Sequence, residues 1–68
     1  MDELTIDELV RAVRDAHNAA EQGSRAWRRH RAQAIRAAVD NGAPIARLAR
    51  ELDVSRPTIY AWLREGTP

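Results

Sequence analysis

The side chains best suited to chemistry in this 68-residue chain lie together near its C-terminal end. Between Ser55 and Arg64 the sequence carries the guanidinium groups of Arg56 and Arg64 and the hydroxyl groups of Ser55, Thr58 and Tyr60. A guanidinium group presents its N–H donors in a fixed fork that matches phosphate and guanine oxygens, and hydroxyl groups can donate to phosphate as well. The chemistry that this set can perform is binding to an anion.

Residues for catalysis or metal binding are sparse. The chain has no cysteine, which excludes disulfides and thiolate metal sites, and His17 and His30 have no second ligand at metal-binding spacing. Ser24 and Ser55 are both explained as helix caps, and no glycine-rich phosphate loop is present. We therefore expect no enzymatic activity, no metal and no cofactor.

Apolar residues in the C-terminal third recur at the intervals of two short helices that meet at a steep angle across a tight turn. These positions are Leu48, Ala49 and Leu52 on the first helix, Val54 in the turn, and Ile59, Trp62 and Leu63 on the second. Ser55 can cap the second helix, Pro57 falls in its first turn, and Gly66 followed by Pro68 marks a stop.

This pattern resembles the helix-turn-helix family, and within it the DNA-binding tail of resolvase and invertase recombinases and the small regulators of phages and plasmids. Ala49 matches the small residue of the first motif helix, and the stretch 54–60 matches the start of the recognition helix. The core positions of the motif match Leu48, Leu52, Val54, Ile59 and Trp62. One departure is Asp53, which stands in the turn where the family often has glycine; aspartate tolerates a left-handed conformation better than most residues.

The resemblance implies that double-stranded DNA is the partner and that the second helix enters the major groove. The residues expected to face DNA on that helix are Ser55, Arg56, Pro57, Thr58, Tyr60, Ala61 and Arg64. Arg56 is the candidate for a bidentate contact with guanine O6 and N7, with a phosphate contact or a free surface as the alternative. Arg47 and Arg50 are expected to bind phosphates, and the alternative is a solvated face with Arg47 paired to Glu51.

Charge is divided along the chain, although the net charge is only +1. Residues 1–23 carry six acidic residues against two arginines, a net charge of −4, and residues 24–68 carry nine arginines against four acidic residues, a net charge of +5. A phosphate-binding domain with an attached non-binding helix would show this asymmetry, and so would an ordinary solvated surface. A dense basic set precedes the motif and consists of Arg25, Arg28, Arg29, Arg31 and Arg36.

Two further helices are predicted before the motif. Thr5 and Glu8 form a capping-box pair, so a helix begins near residue 6, and Gly23 can end it. A second helix runs from a cap at Ser24 to about residue 41, and Pro44 opens the next. The alternative is one long helix through Gly23. The apolar faces are Leu9, Val10, Val13, Ala16, His17 and Ala20 on the first helix, and Trp27, Ala34, Ile35, Ala38 and Val39 on the second.

We predict an all-α fold of four helices, with an N-terminal amphipathic helix in 1–23 and a helix-turn-helix domain in 24–68. Because a monomeric core of this size is marginal, association with a second copy is expected. The expected dimer contacts are Leu4, Ile6, Leu9, Val10 and Val13.

The predicted function is sequence-specific binding of double-stranded DNA by a homodimeric transcriptional regulator of bacterial, phage or plasmid origin. No apolar run is long enough for a membrane span or a signal peptide, so a cytoplasmic protein without membrane or small-molecule partners is expected. Two alternatives stay open at this point. One is an accessory DNA-binding module of recombination or transposition, and the other is a helical module that binds proteins.

Overall fold

Four α-helices account for most of the chain in a computed structural model, which describes residues 4–23 and 25–65. They are α1 (Ile6–Ala20), α2 (Arg25–Asp40), α3 (Ile45–Leu52) and α4 (Arg56–Glu65). The described residues contain no strand, and the predicted all-α fold is confirmed. Of the two interpretations of residues 5–41, two helices is correct, because Gly23 adopts a φ of 96° that a helix interior does not allow.

The start of α1 is fixed by the predicted capping box. The Glu8 backbone N–H donates to Thr5 Oγ1 and the Thr5 N–H donates to Glu8 Oε1, both at 3.1 Å. Asp7 and Glu8 also place negative charge at the positive end of the helix dipole. The expected cap at Ser24 and the expected stop at Gly66 and Pro68 lie outside the described residues.

α2 and α3 end in the same way. A residue in the left-handed region follows the helix, and the backbone N–H of the next residue donates a hydrogen bond to the carbonyl oxygen five residues earlier. At the end of α2 the residue is Gly42, with φ 99°, and Ala43 N–H donates to Ala38 O at 2.9 Å. At the end of α3 it is Asp53, with φ 57° and ψ 47°. The predicted left-handed conformation of Asp53 is confirmed, and it sets the turn between α3 and α4.

One core contains side chains from all four helices. Its largest fully buried side chains are Val13, Ile35, Leu48 and Ile59, one from each helix. α1 therefore shares this core and is not a separate unit attached to residues 24–68. The buried motif positions agree with the apolar spacing of the sequence, since Leu48, Ala49 and Leu52 of α3 are all buried, as is Ile59 of α4.

The shared core corrects the expected dimer contacts. Leu9, Val10 and Val13 are exposed by only 6%, 3% and 0%, because they pack against the other helices of the same chain. They are not available to a second copy in this fold. Ile6 is partly buried against the core, and only Leu4, at 58% exposure, projects from it.

A cluster formed by His17, Arg31 and Trp62 joins α1, α2 and α4. Arg31, one of the dense basic set that precedes the motif, is 5% exposed, and its guanidinium carbon lies 3.8 Å from the centre of the Trp62 ring. The His17 ring lies 5.0 Å from the Trp62 ring, and Arg31 Nη1 lies 3.3 Å from His17 Nδ1. The cation over the indole face is an attractive arrangement. Trp27, expected on the inner face of α2, is instead 44% exposed and edge-on to the His30 ring.

The His17–Arg31 contact defines the protonation state that the fold prefers. An arginine can only donate, so His17 Nδ1 must accept, which requires an unprotonated Nδ1. Burial lowers the pKa of His17 below its usual value, and the Arg31 charge lowers it further, while Glu21 on the same helix opposes the shift. Folding therefore favours the neutral imidazole.

The protein should consequently lose stability in mild acid. Because the pKa of His17 is lower in the folded chain, the unfolded chain takes up the proton first as the pH falls below about 6.5, and the free energy of unfolding decreases. Above that pH the contribution is fully present. Urea titrations between about pH 7.5 and 5.5 should show this decrease for the natural chain and a flatter profile for His17→Gln.

The matched control is His30→Gln, which removes the exposed histidine of the described residues and should keep the pH dependence of the natural chain. Asp7, whose pKa is also lowered, titrates below its usual value of 3.8 and does not contribute in this range. If the free energy of unfolding fell equally with decreasing pH in His17→Gln and in the natural chain, the role assigned to the buried cluster would be contradicted.

Candidate nucleic-acid interface

The outward side of α4 carries most of the polar groups that the sequence predicted for it. Ile59 is fully buried and directs the opposite side of the helix away from the core. Arg56, Pro57 and Arg64 are exposed, and Tyr60 is 50% exposed. Ala61 is half-buried at the edge of this side. The structure thus brings these residues together on one accessible surface.

Ser55 and Thr58 form a pair at the start of α4. Their hydroxyl oxygens lie 2.9 Å apart, and the Thr58 N–H points to Ser55 Oγ at 3.4 Å, so the predicted capping role of Ser55 agrees with the structure. Whichever hydroxyl donates within the pair, the other keeps its own hydrogen for a further acceptor. The pair can therefore hold the helix start and still donate one hydrogen bond to an anion.

A shallow depression joins α3 to the start of α4. Its lining residues are Ala46, Ala49, Arg50, Asp53, Val54, Ser55 and Arg56. Arg50 and Arg56 are both exposed there, and neither has an acidic partner among the side chains that the structure describes. These two guanidinium groups are therefore free to bind an anion beside the N-terminal end of α4.

Arg47 lies on the other side of α3 and is already paired. Its Nη2 contacts Asp7 Oδ1 of α1, and this hydrogen bond and the Arg47 charge hold the pKa of the Asp7 carboxyl below its usual value. The alternative pairing of Arg47 with Glu51 does not occur, because Glu51 Oε1 lies 2.6 Å from Arg14 Nη2. The two arginines expected to act alike on α3, Arg47 and Arg50, are thus in different environments.

Neither link between α1 and α3 was predicted from the sequence. The signal was the sign of the charges, because α1 carries Asp7 followed by Arg14 and α3 carries Arg47 followed by Glu51. Two helices that pack with these residues adjacent form two complementary pairs, Asp7 with Arg47 and Arg14 with Glu51. Only the tertiary packing of the helices shows which charges become neighbours.

A metal site and a membrane span find no support in the part of the chain that the structure describes. Within residues 4–23 and 25–65 no group of three or more histidine and acidic side chains is placed to hold a metal ion. None of the helices in these ranges combines the length and the apolar character that crossing a membrane requires. The exposed arginines around α4 remain the strongest candidate site.

Comparison with known proteins agrees with this geometry. Residues 28–65 match the family model of the homeodomain-like domain, from the first turns of α2 to the end of α4. α1 lies outside the matched residues, although it completes the core. No curated protein and no solved structure matches the chain. The match covers more than half of the sequence and confirms the predicted helix-turn-helix relationship: the chain belongs to the homeodomain-like family of helix-turn-helix DNA-binding domains.

Proposed function

We propose that this DNA-binding protein recognises a specific sequence in duplex DNA by inserting α4 into the major groove. The observation that carries the proposal is the outward side of α4, on which Arg56, Tyr60 and Arg64 are exposed while the opposite side is buried through Ile59. A side with two guanidinium groups and a phenol suits base edges and phosphates. It offers few large apolar groups to a protein partner.

The dimensions of α4 suit this use. At about 1.5 Å per residue, the backbone positions of Arg56 and Arg64 are roughly 12 Å apart, similar to the width of the major groove. One arginine can therefore reach the base edges while the other reaches a phosphate strand that borders the groove. Because the N-terminal end of a recognition helix usually approaches the bases, Arg56 is the proposed base-reading residue and Arg64 a phosphate contact.

Replacing Arg56 with alanine should reduce sequence discrimination. We expect Arg56→Ala to weaken binding to the preferred duplex about tenfold more than binding to random duplex, because a bidentate contact to guanine contributes about 1–3 kcal/mol of discrimination. The preferred site would first be selected from random duplexes, and affinities measured by fluorescence anisotropy. Arg64→Ala is the control, with a similar loss on both duplexes. Equal losses for Arg56→Ala would exclude base reading by this residue.

The two arginines of α3 provide a second test. Arg50→Gln should weaken duplex binding several-fold and reduce the slope of log K against log salt by about 0.9, as expected for one lost phosphate contact. Arg47→Gln removes the same charge from the same helix but only breaks the contact with Asp7, so it should lower the melting temperature slightly and leave the slope unchanged. The reverse ranking of the two variants would overturn this assignment.

Regulation of transcription by a homodimer that occupies its operator is a further part of the proposal. Two copies on a two-fold site would place their recognition helices about 34 Å apart. The Cα atoms of one chain extend 31 × 26 × 22 Å, so two copies at that spacing would lie side by side. Their contact would have to use residues outside the core, and Leu4 is the exposed apolar residue among those expected at the interface.

Cooperativity on paired half-sites tests this arrangement. Two inverted half-sites spaced by one helical turn, about 10 base pairs, should bind two chains cooperatively, because both copies then lie on the same side of the duplex. Moving one half-site by about five base pairs should abolish the cooperativity. Leu4→Ser should reduce it without changing affinity for a single half-site. Independent binding at both spacings would favour a monomeric DNA-binding unit.

A further inference from the structure

Three arginines at the start of α2 lie outside the surface described so far. Arg25, Arg28 and Arg29 are exposed and line a shallow depression together with Ala26. None of the three has an acidic partner among the described side chains. We refer to Arg25, Arg28 and Arg29 as the α2 cluster. Its position at one end of a helix needs an explanation.

Helix stability does not provide that explanation. The N-terminal end of a helix carries a partial positive charge, so acidic residues stabilise it and basic residues destabilise it. The first turn of α1 follows this rule with Asp7 and Glu8, whereas the first turn of α2 contains no acidic residue. The α2 cluster therefore adds three like charges to an end that is already positive. An anionic partner would relieve this repulsion.

The packing of α2 on α4 locates the cluster relative to the proposed DNA surface. The Arg31 guanidinium carbon lies 3.8 Å from the centre of the Trp62 ring, so the N-terminal half of α2 packs near the C-terminal half of α4, where Arg64 is exposed. Arg50 and Arg56 lie at the opposite end of α4. The outward side of α4 thus has guanidinium groups at both of its ends that have no acidic partner among the described side chains.

We propose that the α2 cluster binds the phosphate strand that borders the far side of the groove occupied by α4. This inference rests on the proposed function, and it adds a sequence-independent contact on a helix that the recognition motif itself does not contain. Along the axis of α2 the cluster extends about 6 Å. One strand of duplex DNA carries one phosphate per 3.4 Å of axis, so the cluster can face two adjacent phosphates. Arg50 would bind the phosphate strand on the near side of the groove.

The test measures salt dependence together with stability. The triple variant Arg25→Gln, Arg28→Gln, Arg29→Gln should lower affinity for the preferred duplex and for random duplex by the same factor, about tenfold or more. The slope of log K against log salt should fall by about 2, because each of the two lost phosphate contacts removes about 0.9. The melting temperature of the free protein should stay the same or rise, because repulsion at the helix end is removed.

Single substitutions provide a matched control. Arg28→Gln should reduce the salt slope by about 0.9. Arg11→Gln removes one exposed charge from α1, outside the residues matched to the family, and should leave the slope unchanged. A triple variant that keeps the slope of the natural chain would overturn the inference while the proposed function stands. Equal reductions for Arg28→Gln and Arg11→Gln would also overturn it, because they would indicate a general charge effect. A natural chain that binds no duplex would refute the proposed function itself.

Discussion

A chain of 68 residues has a single core to fill, and in this protein that core requires all four helices. The largest fully buried side chains are Val13, Ile35, Leu48 and Ile59, so removal of any helix would open the core to water. A short chain buries a small fraction of its surface, and here the apolar faces of all four helices are used to form one core. This constraint explains why α1 packs onto the family domain and why Leu9 and Val10 do not remain free for a dimer.

The same core fixes what the protein presents to DNA. Burial of Ile59 sets the rotation of α4 about its axis, and the left-handed Asp53 sets its direction relative to α3. Trp62 then meets Arg31 and His17, which join the C-terminal part of α4 to α2 and α1. The outward side of α4, the proposed DNA surface, is therefore held by contacts at the turn, in the middle of the helix and near its end.

Local signals in the sequence predicted the four helices and most of the core, because caps, left-handed turn residues and apolar spacing act within a few residues. Contacts between distant residues were predicted poorly. Arg31 was grouped with the other basic residues by its charge, although it lies four and seven residues before Ile35 and Ala38 on the same buried face. Likewise, apolar spacing identified the inner face of α1 but not whether that face packs against the other helices of this chain or against a second copy. Tertiary packing decides both questions.

The roles of the arginines illustrate why net charge alone is a weak guide to the binding surface. Residues 24–68 have a net charge of +5, but Arg31 is buried on Trp62 and Arg47 is paired with Asp7 of α1. The arginines at the two ends of α4 are exposed. The carboxylates of Glu8 and Asp15 are exposed on α1. Residues 1–23 have a net charge of −4, and with the arginines at both ends of α4 they give the chain an uneven distribution of charge. In the field of a duplex, such a distribution would favour the proposed orientation, with α4 towards the DNA, before any base is contacted.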